Sequence, residues 1–201
     1  IGTSSASARS KIGQKRLSSM KAARVTASRV LPGPTGSLST AAKDLLPKVH
    51  DALYASKVIS YAQGLDLLHT MGAKKEWALD LGGIAGIWRG GCIIRARFLS
   101  RITEAYRADP ALANLMLAPF FQGVLGKGQQ AWRDVVAAAV CQGIPVPAMS
   151  ASLAYYDSYR SARLPANLLQ AQRDFFGAHT YERIDKPAGQ WYHTVWPEVI
   201  G

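Results

Sequence analysis

The stretch that decides the fold is residues 40–72, TAAKDLLPKVHDALYASKVISYAQGLDLLHTMG. Its large apolar residues recur at steps of three and four, which places them on one face of an α-helix. Ser39 or Thr40 can cap the start of this helix, and Met71-Gly72 marks its end. We therefore predict one long helix here. Its apolar stripe consists of Leu46, Val49, Leu53, Tyr54, Val58, Tyr61, Leu65 and Leu68.

Helical patterns continue on both sides of this stretch. Residues 15–30 could form a basic amphipathic helix, and the Pro/Gly/Ser-rich residues 31–40 predict a linker or turn. Further helices are predicted over residues 81–108, 109–117, 119–142, 150–163 and 165–177. No alternating five-residue segment bounded by turns predicts a strand. The fold class is therefore all-α, with an irregular C-terminal tail.

The predicted helix over residues 81–108 contains Gly82, Gly83, Gly86, Gly90 and Gly91. Each glycine inside a helix costs about 1 kcal/mol relative to alanine. We therefore expect neighbouring helices to approach closely at these positions, which would offset that cost.

The formal net charge is +11, and the first acidic residue is Asp44. A basic, Ser-rich start is typical of a transit peptide or a nucleic-acid-binding arm, and also of a solvated helix with a frayed end. No apolar run is long enough to predict a membrane span. Cys92 and Cys141 stand in apolar helical contexts without a C-x-x-C pattern, which predicts buried free thiols in a cytoplasmic protein and no metal site.

No G-x-G-x-x-G follows a predicted strand, and no H-E-x-x-H, G-x-S-x-G or phosphate-loop motif appears. The segment LPANLLQAQRDFFGAHTY, residues 164–181, contains Arg173 near a helix end, Gly177 as a candidate left-handed stop, and His179. A chain reversal at Gly177 could bring His179 near Arg173, and two cationic donors suit a phosphate. From the residues alone, structural roles for both remain the preferred interpretation.

Several blocks of sequence are similar to those of the 6-phosphogluconate dehydrogenases. The similarity covers roughly residues 17–196. The blocks are ALYASKVISYAQGLDLL (52–68), IWRGGCIIRARFLSRI (87–102), GIPVPAMSASLAYYDSYR (143–160), LPANLLQAQRDFFGAHTYER (164–183) and WYHTVW (191–196).

The resemblance implies an all-helical C-terminal domain of an NADP-dependent, decarboxylating enzyme that converts 6-phosphogluconate to ribulose 5-phosphate. It implies a homodimer whose active site is shared between subunits. From the residues we expect a cytoplasmic location and neither a membrane nor a nucleic-acid partner. We expect residues 1–16 to be irregular or non-native, residues 17–178 to form the substrate-binding and dimerisation domain, and residues 179–201 to form the tail. The catalytic residues and most of the NADP contacts are expected in an N-terminal part that this chain lacks.

The same resemblance assigns Arg173 and His179 to the substrate phosphate, contributed from the second subunit. The family's further phosphate-binding arginine corresponds to Lys15, which keeps the charge and loses the planar fork. Two alternatives remain: a catalytically inactive helical dimerisation module, and a basic nucleic-acid-binding fragment.

Overall fold

The structure is a computed structural model that describes residues 21–35 and 42–197. The predicted segment 1–16, with Lys15, lies outside the described residues. The chain divides between Ala154 and Tyr155 into two compact units. The predicted boundaries at residues 17–178 and 179–201 stay a prediction.

The all-α class is confirmed, because helices account for nearly all regular structure in the described residues. The first unit contains α1 (Lys21–Val30), α2 (Ala42–Lys74), α3 (Leu81–Ile87), α4 (Leu99–Ala108), a 3-10 turn (Leu115–Leu117) and α5 (Pro119–Cys141). Helix α6 (Pro147–Tyr159) contains the division point. The second unit contains α7 (Asn167–Gly177), β1 (Tyr181–Glu182) and β2 (Trp191–Tyr192). The sequence did not predict this two-stranded hairpin.

The core of the first unit forms where α2 packs against α5. A Cβ atom placed on Gly128 would lie 3.5 Å from the Cβ of Ala55, so small residues let the two helices approach closely. Lys48 Nζ and Asp134 Oδ2, 2.6 Å apart, join the same helices nearer the surface. The largest side chains buried here are Ile59, Leu65, Phe121 and Trp132. The prediction of a central helix is therefore confirmed from Ala42 onward, and α2 continues past Gly72 to Lys74. The predicted cap at Ser39 or Thr40 lies outside the described residues.

The predicted continuous helix over residues 81–108 is wrong. Asp80 caps α3, its carboxylate accepting a hydrogen bond from Gly83 N at 2.8 Å, but α3 already ends at Ile87. Gly91 has a φ of +67°, a left-handed conformation that an α-helix does not contain. Close packing offsets the helix-propensity cost of glycine only where α3 meets α4, at Gly82 beside Tyr106. Gly90 and Gly91 lie beyond the end of α3, outside any helix.

Two smaller expectations also fail. The helix predicted over residues 109–117 shrinks to the 3-10 turn, because the Asp109 and Asn114 side chains accept hydrogen bonds from nearby backbone N–H groups. Cys92 and Cys141 are free, but Cys92 is only half-buried and Cys141 is exposed. Across residues 21–35 and 42–197, no helix combines the length and the apolar character needed to cross a bilayer.

Candidate functional site

The candidate site lies at the C-terminal end of α7, whose sequence is NLLQAQRDFFG. Leucine, glutamine, alanine and arginine favour a helix, and Pro165 lies just before its start. Successive residues of a helix point about 100° apart. Arg173 is accordingly exposed, whereas its neighbour Asp174 is fully buried.

The helix stops at Ala178, which takes the left-handed conformation with φ 48° and ψ 41°. The prediction that Gly177 would adopt this conformation is wrong. Gly177 serves a different purpose, since a Cβ atom on it would lie 2.8 Å from His179 Nε2. The glycine therefore provides the space into which the imidazole of His179 folds back.

The structure places Arg173 and His179 at the same end of α7. The imidazole rests on Gly177, which lies one helical turn after Arg173 on the same helix face. Both side chains are exposed, and Arg173 makes only a long contact of 3.5 Å from Nη1 to Gln170 Oε1. Within the described part of the chain, no carboxylate pairs with Arg173. Its positive charge is therefore free to meet an anion.

Asp174 holds the segments that follow α7. Its Oδ1 accepts hydrogen bonds from Thr180 N and His193 Nδ1, both at 3.0 Å. Its Oδ2 accepts hydrogen bonds from Thr194 N and Trp196 Nε1, also both at 3.0 Å. Four donors fill the usual accepting capacity of a carboxylate. The carboxylate of Asp174 therefore has its hydrogen-bond partners elsewhere and does not neutralise the guanidinium of Arg173.

The electrostatics of this carboxylate follow from its partners. Burial raises the pKa of Asp174, but the hydrogen bonds from His193, Thr194 and Trp196 outweigh burial and hold the pKa at about 2, below the ordinary 3.8. An ionised carboxylate can only accept hydrogen bonds, so His193 must carry its hydrogen on Nδ1. The tail is thus attached to α7 through a buried charge.

Sequence reasoning missed Asp174. An acid inside an amphipathic helix ordinarily faces water, and the residues that bind this one follow it by 6 to 22 positions. A usable signal was present, since Asp174 is the one acidic residue between Asn167 and Gly177. The fragment His193-Thr194 with Trp196 also supplies several donors within a short distance along the chain.

The hairpin after α7 completes the second unit. Tyr181 pairs with Tyr192 and Glu182 with Trp191 in antiparallel register, and the tyrosine hydroxyl of Tyr181 lies 2.5 Å from Thr194 Oγ1. A cavity of about 260 Å³ lies between α7 and this hairpin, with Asn167, Gln170, Glu182 and Trp196 in its lining. Its Gln170 is the residue that contacts Arg173.

The first unit offers other concave surfaces. One depression of about 430 Å³ is lined by Arg89, Arg95 and Arg97, and a larger one of about 680 Å³ by residues that include His69, Asp80 and Arg107. No group of three side chains that could hold a metal ion occurs within residues 21–35 and 42–197. Neither depression contains Arg173 or His179.

Comparison with known proteins gives a consistent result. A family model described as "6-phosphogluconate dehydrogenase, C-terminal domain" matches residues 4–196. The "6-phosphogluconate dehydrogenase, decarboxylating" of Escherichia coli is 54% identical over 180 residues, covering 90% of this chain and 38% of that protein. The protein of the same name from Staphylococcus aureus is 53% identical over 182 residues, with the same coverage of 90% and 38%.

A solved structure of Plasmodium falciparum 6-phosphogluconate dehydrogenase agrees in fold, with a TM-score of 0.79 and 42% identity over 90% of this chain and 39% of that one. That protein has been solved in its apo form, in complex with its cofactor NADP+ and in complex with its substrate 6-phosphogluconate. The chain spans about 38% of the length of the curated relatives that it matches. On the family match, the sequence identity and the shared fold, the chain belongs to the family of 6-phosphogluconate dehydrogenase C-terminal domains.

Proposed function

We propose that this chain is the substrate-phosphate-binding and dimer-forming domain of an NADP-dependent, decarboxylating 6-phosphogluconate dehydrogenase. That enzyme oxidises 6-phosphogluconate with NADP and releases carbon dioxide, giving ribulose 5-phosphate and NADPH. The names of the relatives support the reaction. The substrate and cofactor complexes of the Plasmodium falciparum protein support the ligands.

The observation that carries the proposal is the chain reversal at the end of α7. It leaves an exposed Arg173, without a carboxylate partner among the described residues, one helical turn from the Gly177 on which His179 packs. Arginine offers a planar fork of N–H donors that matches phosphate oxygens, and the imidazole adds a directional donor. Both groups can therefore contact the same phosphate. Lys15 supplies a third cation in this proposal.

The cofactor belongs elsewhere in the proposal. Among the residues that the structure describes, no Gly-rich turn joins a strand to a following helix, so in this proposal NADP is bound mainly by an additional nucleotide-binding domain. The catalytic proton-transfer groups lie in that part of the enzyme too. The free thiols of Cys92 and Cys141 suit the reducing cytoplasm, which is the location we propose.

A homodimer is the second element of the proposal, with residues 17–178 as the dimerisation domain and residues 179–201 as a tail that contacts the partner. Both units expose large apolar side chains that a stable monomer would normally cover. They include Leu46, Ile87 and Ile93 in the first unit, and Leu168, Phe176, Trp191 and Val195 in the second. We propose in addition that the active site is shared, with Arg173 and His179 reaching the substrate held by the partner.

The test uses a full-length enzyme that carries this domain. Replacing Arg173 by Ala should raise the KM for 6-phosphogluconate roughly 10- to 100-fold, because a charge-assisted hydrogen bond contributes about 1.5–3 kcal/mol. The KM for NADP should stay within about twofold. Lysine at this position should restore part of the loss, since it keeps the charge without the fork.

Arg163, another exposed arginine of the second unit, provides the matched control. The Arg163→Ala enzyme should keep the KM for 6-phosphogluconate. If Arg173→Ala leaves this KM unchanged, or raises both KM values equally, the phosphate assignment is wrong.

A further inference from the structure

The clearest feature of the second unit that the proposed function leaves without a role is the buried carboxylate of Asp174. Its two oxygens join three separate parts of the chain: the end of α7, the turn at Thr180 and the tail at residues 193–196. Three of its four partners lie beyond the hairpin. Phe175 and Trp196 pack edge to face with their ring centres 5.7 Å apart, which closes the same junction from the apolar side.

His179 is held on both sides by Asp174. The backbone carbonyl of Asp174 accepts the N–H of Ala178 at 2.9 Å, and its Oδ1 accepts the N–H of Thr180 at 3.0 Å. The residue between these two anchored amides is His179. Its imidazole then folds onto Gly177. Asp174 therefore positions the ring by holding the backbone on both sides of His179 through hydrogen bonds.

The backbone around His179 is strained. Ala178 and Thr180 both have left-handed φ values, 48° and 55°, and a β-branched residue such as Thr180 seldom adopts this conformation. Such a conformation persists only where surrounding interactions over-determine it, and it is frequent at ligand-binding sites. The hydrogen bonds to Asp174 are the interactions that hold it here. Loss of these hydrogen bonds would remove the restraint on the backbone that places the His179 ring against Gly177.

We propose that Asp174 is a positioning residue for the substrate phosphate: it fixes His179, and the tail behind it, relative to Arg173 without touching the ligand. This rests on the proposed function of Arg173 and His179. The same arrangement explains why an aspartate can follow Arg173 directly. Its oxygens are saturated from the buried side, so the guanidinium keeps its charge for the phosphate.

The experiment is a mutant cycle in the full-length enzyme. Asp174→Asn retains the shape of the side chain. Its NH2 group, however, faces two N–H donors from which a carboxylate oxygen would accept hydrogen bonds. We expect the KM for 6-phosphogluconate to rise about tenfold with the KM for NADP within about twofold. Trp196→Phe removes one of the four donors and keeps an aromatic ring beside Phe175. It is the milder variant, with an expected increase of about two- to fivefold.

A positioning role differs from a general effect on stability in one respect: the effect of the Asp174 and Trp196 substitutions should depend on the presence of Arg173 and His179. In a background of Arg173→Ala with His179→Ala, neither Asp174→Asn nor Trp196→Phe should raise the KM for 6-phosphogluconate by more than about twofold, because there is nothing left to position. An undiminished effect in that background, or an equal rise for NADP, would overturn the positioning role. Should Asp174→Asn fail to fold, the Trp196→Phe cycle decides by the same criterion.

The two proposals fail separately. If the double variant Arg173→Ala with His179→Ala itself binds 6-phosphogluconate normally, the phosphate site is wrong, and the positioning role falls with it. If that double variant loses affinity while Asp174→Asn and Trp196→Phe both leave the KM unchanged, only the positioning role is wrong.

Discussion

At the scale of single residues, Arg173 and Asp174 show how a helix gives neighbours opposite environments. Arg173 faces solvent with its charge free of any described carboxylate, while Asp174 is fully buried and ionised. Burying an isolated carboxylate is unfavourable, and the four hydrogen bonds are what make it possible here. In the proposed site the two neighbours have separate roles: Arg173 binds the phosphate and Asp174 anchors the tail.

The lowered pKa of Asp174 predicts how stability depends on pH. The folded value of about 2 lies below the ordinary 3.8, so the stabilisation is fully present above about pH 4 and is lost as the pH falls toward 2. Urea unfolding of this chain and of Asp174→Asn should show a large difference in unfolding free energy at pH 5. That difference should shrink steadily on acidification. A difference independent of pH between 5 and 2 would mean that the carboxylate gains nothing from being ionised.

At this scale the sequence was informative about charge and poor about burial. Arg173 and His179 could be named as candidates from the residue types and from the helix stop expected near them. Asp174 could not, because its environment is created by Thr180, His193, Thr194 and Trp196, which the folded chain brings together. The role of Gly177 was mistaken for the same reason: it serves the ring of His179 and not a left-handed φ.

At the scale of elements, the contact between α2 and α5 depends on small residues. Replacing Gly128 by Leu would place a large side chain where Ala55 Cβ and Asp51 O already lie 3.5 Å from the position of its Cβ. Overpacking of this kind costs about 1–3 kcal/mol. We expect that loss in the free energy of unfolding measured with urea.

Gly126 provides the matched control on the same helix. It is exposed, with nothing within 4 Å of the position that a Cβ atom would take, so Gly126→Leu should be neutral or should stabilise by up to about 1 kcal/mol through helix propensity. Equal effects of the two substitutions would show that α2 and α5 do not approach at Gly128.

The elements differ in how far the sequence predicts them. Helix α2 was predictable because its apolar stripe is long and regular, and α5 because Pro119 and Gly143 bracket it. The end of α3 at Ile87 was not predictable, because the helical spacing of apolar residues continues past it. Gly91 nevertheless takes a left-handed φ, which an α-helix does not contain. The two-residue strands of the hairpin are too short to show a period of two at all.

At the scale of the whole molecule, the exposed apolar residues predict self-association. Side chains such as Ile93 and Val195, 84% and 91% exposed, are favourable to bury against a second copy. Sedimentation equilibrium at micromolar concentration should therefore give twice the mass of 21.7 kDa calculated for one chain. A mass of one chain under these conditions would contradict the proposed dimer.

A crystal structure of the full-length enzyme with 6-phosphogluconate bound would show directly which residues contact the phosphate. We predict phosphate oxygens about 3 Å from the guanidinium of Arg173 and from the imidazole of His179. We also predict that both side chains come from the subunit opposite to the one holding the sugar acid. A phosphate bound by other residues, with Arg173 and His179 facing solvent, would contradict these predictions.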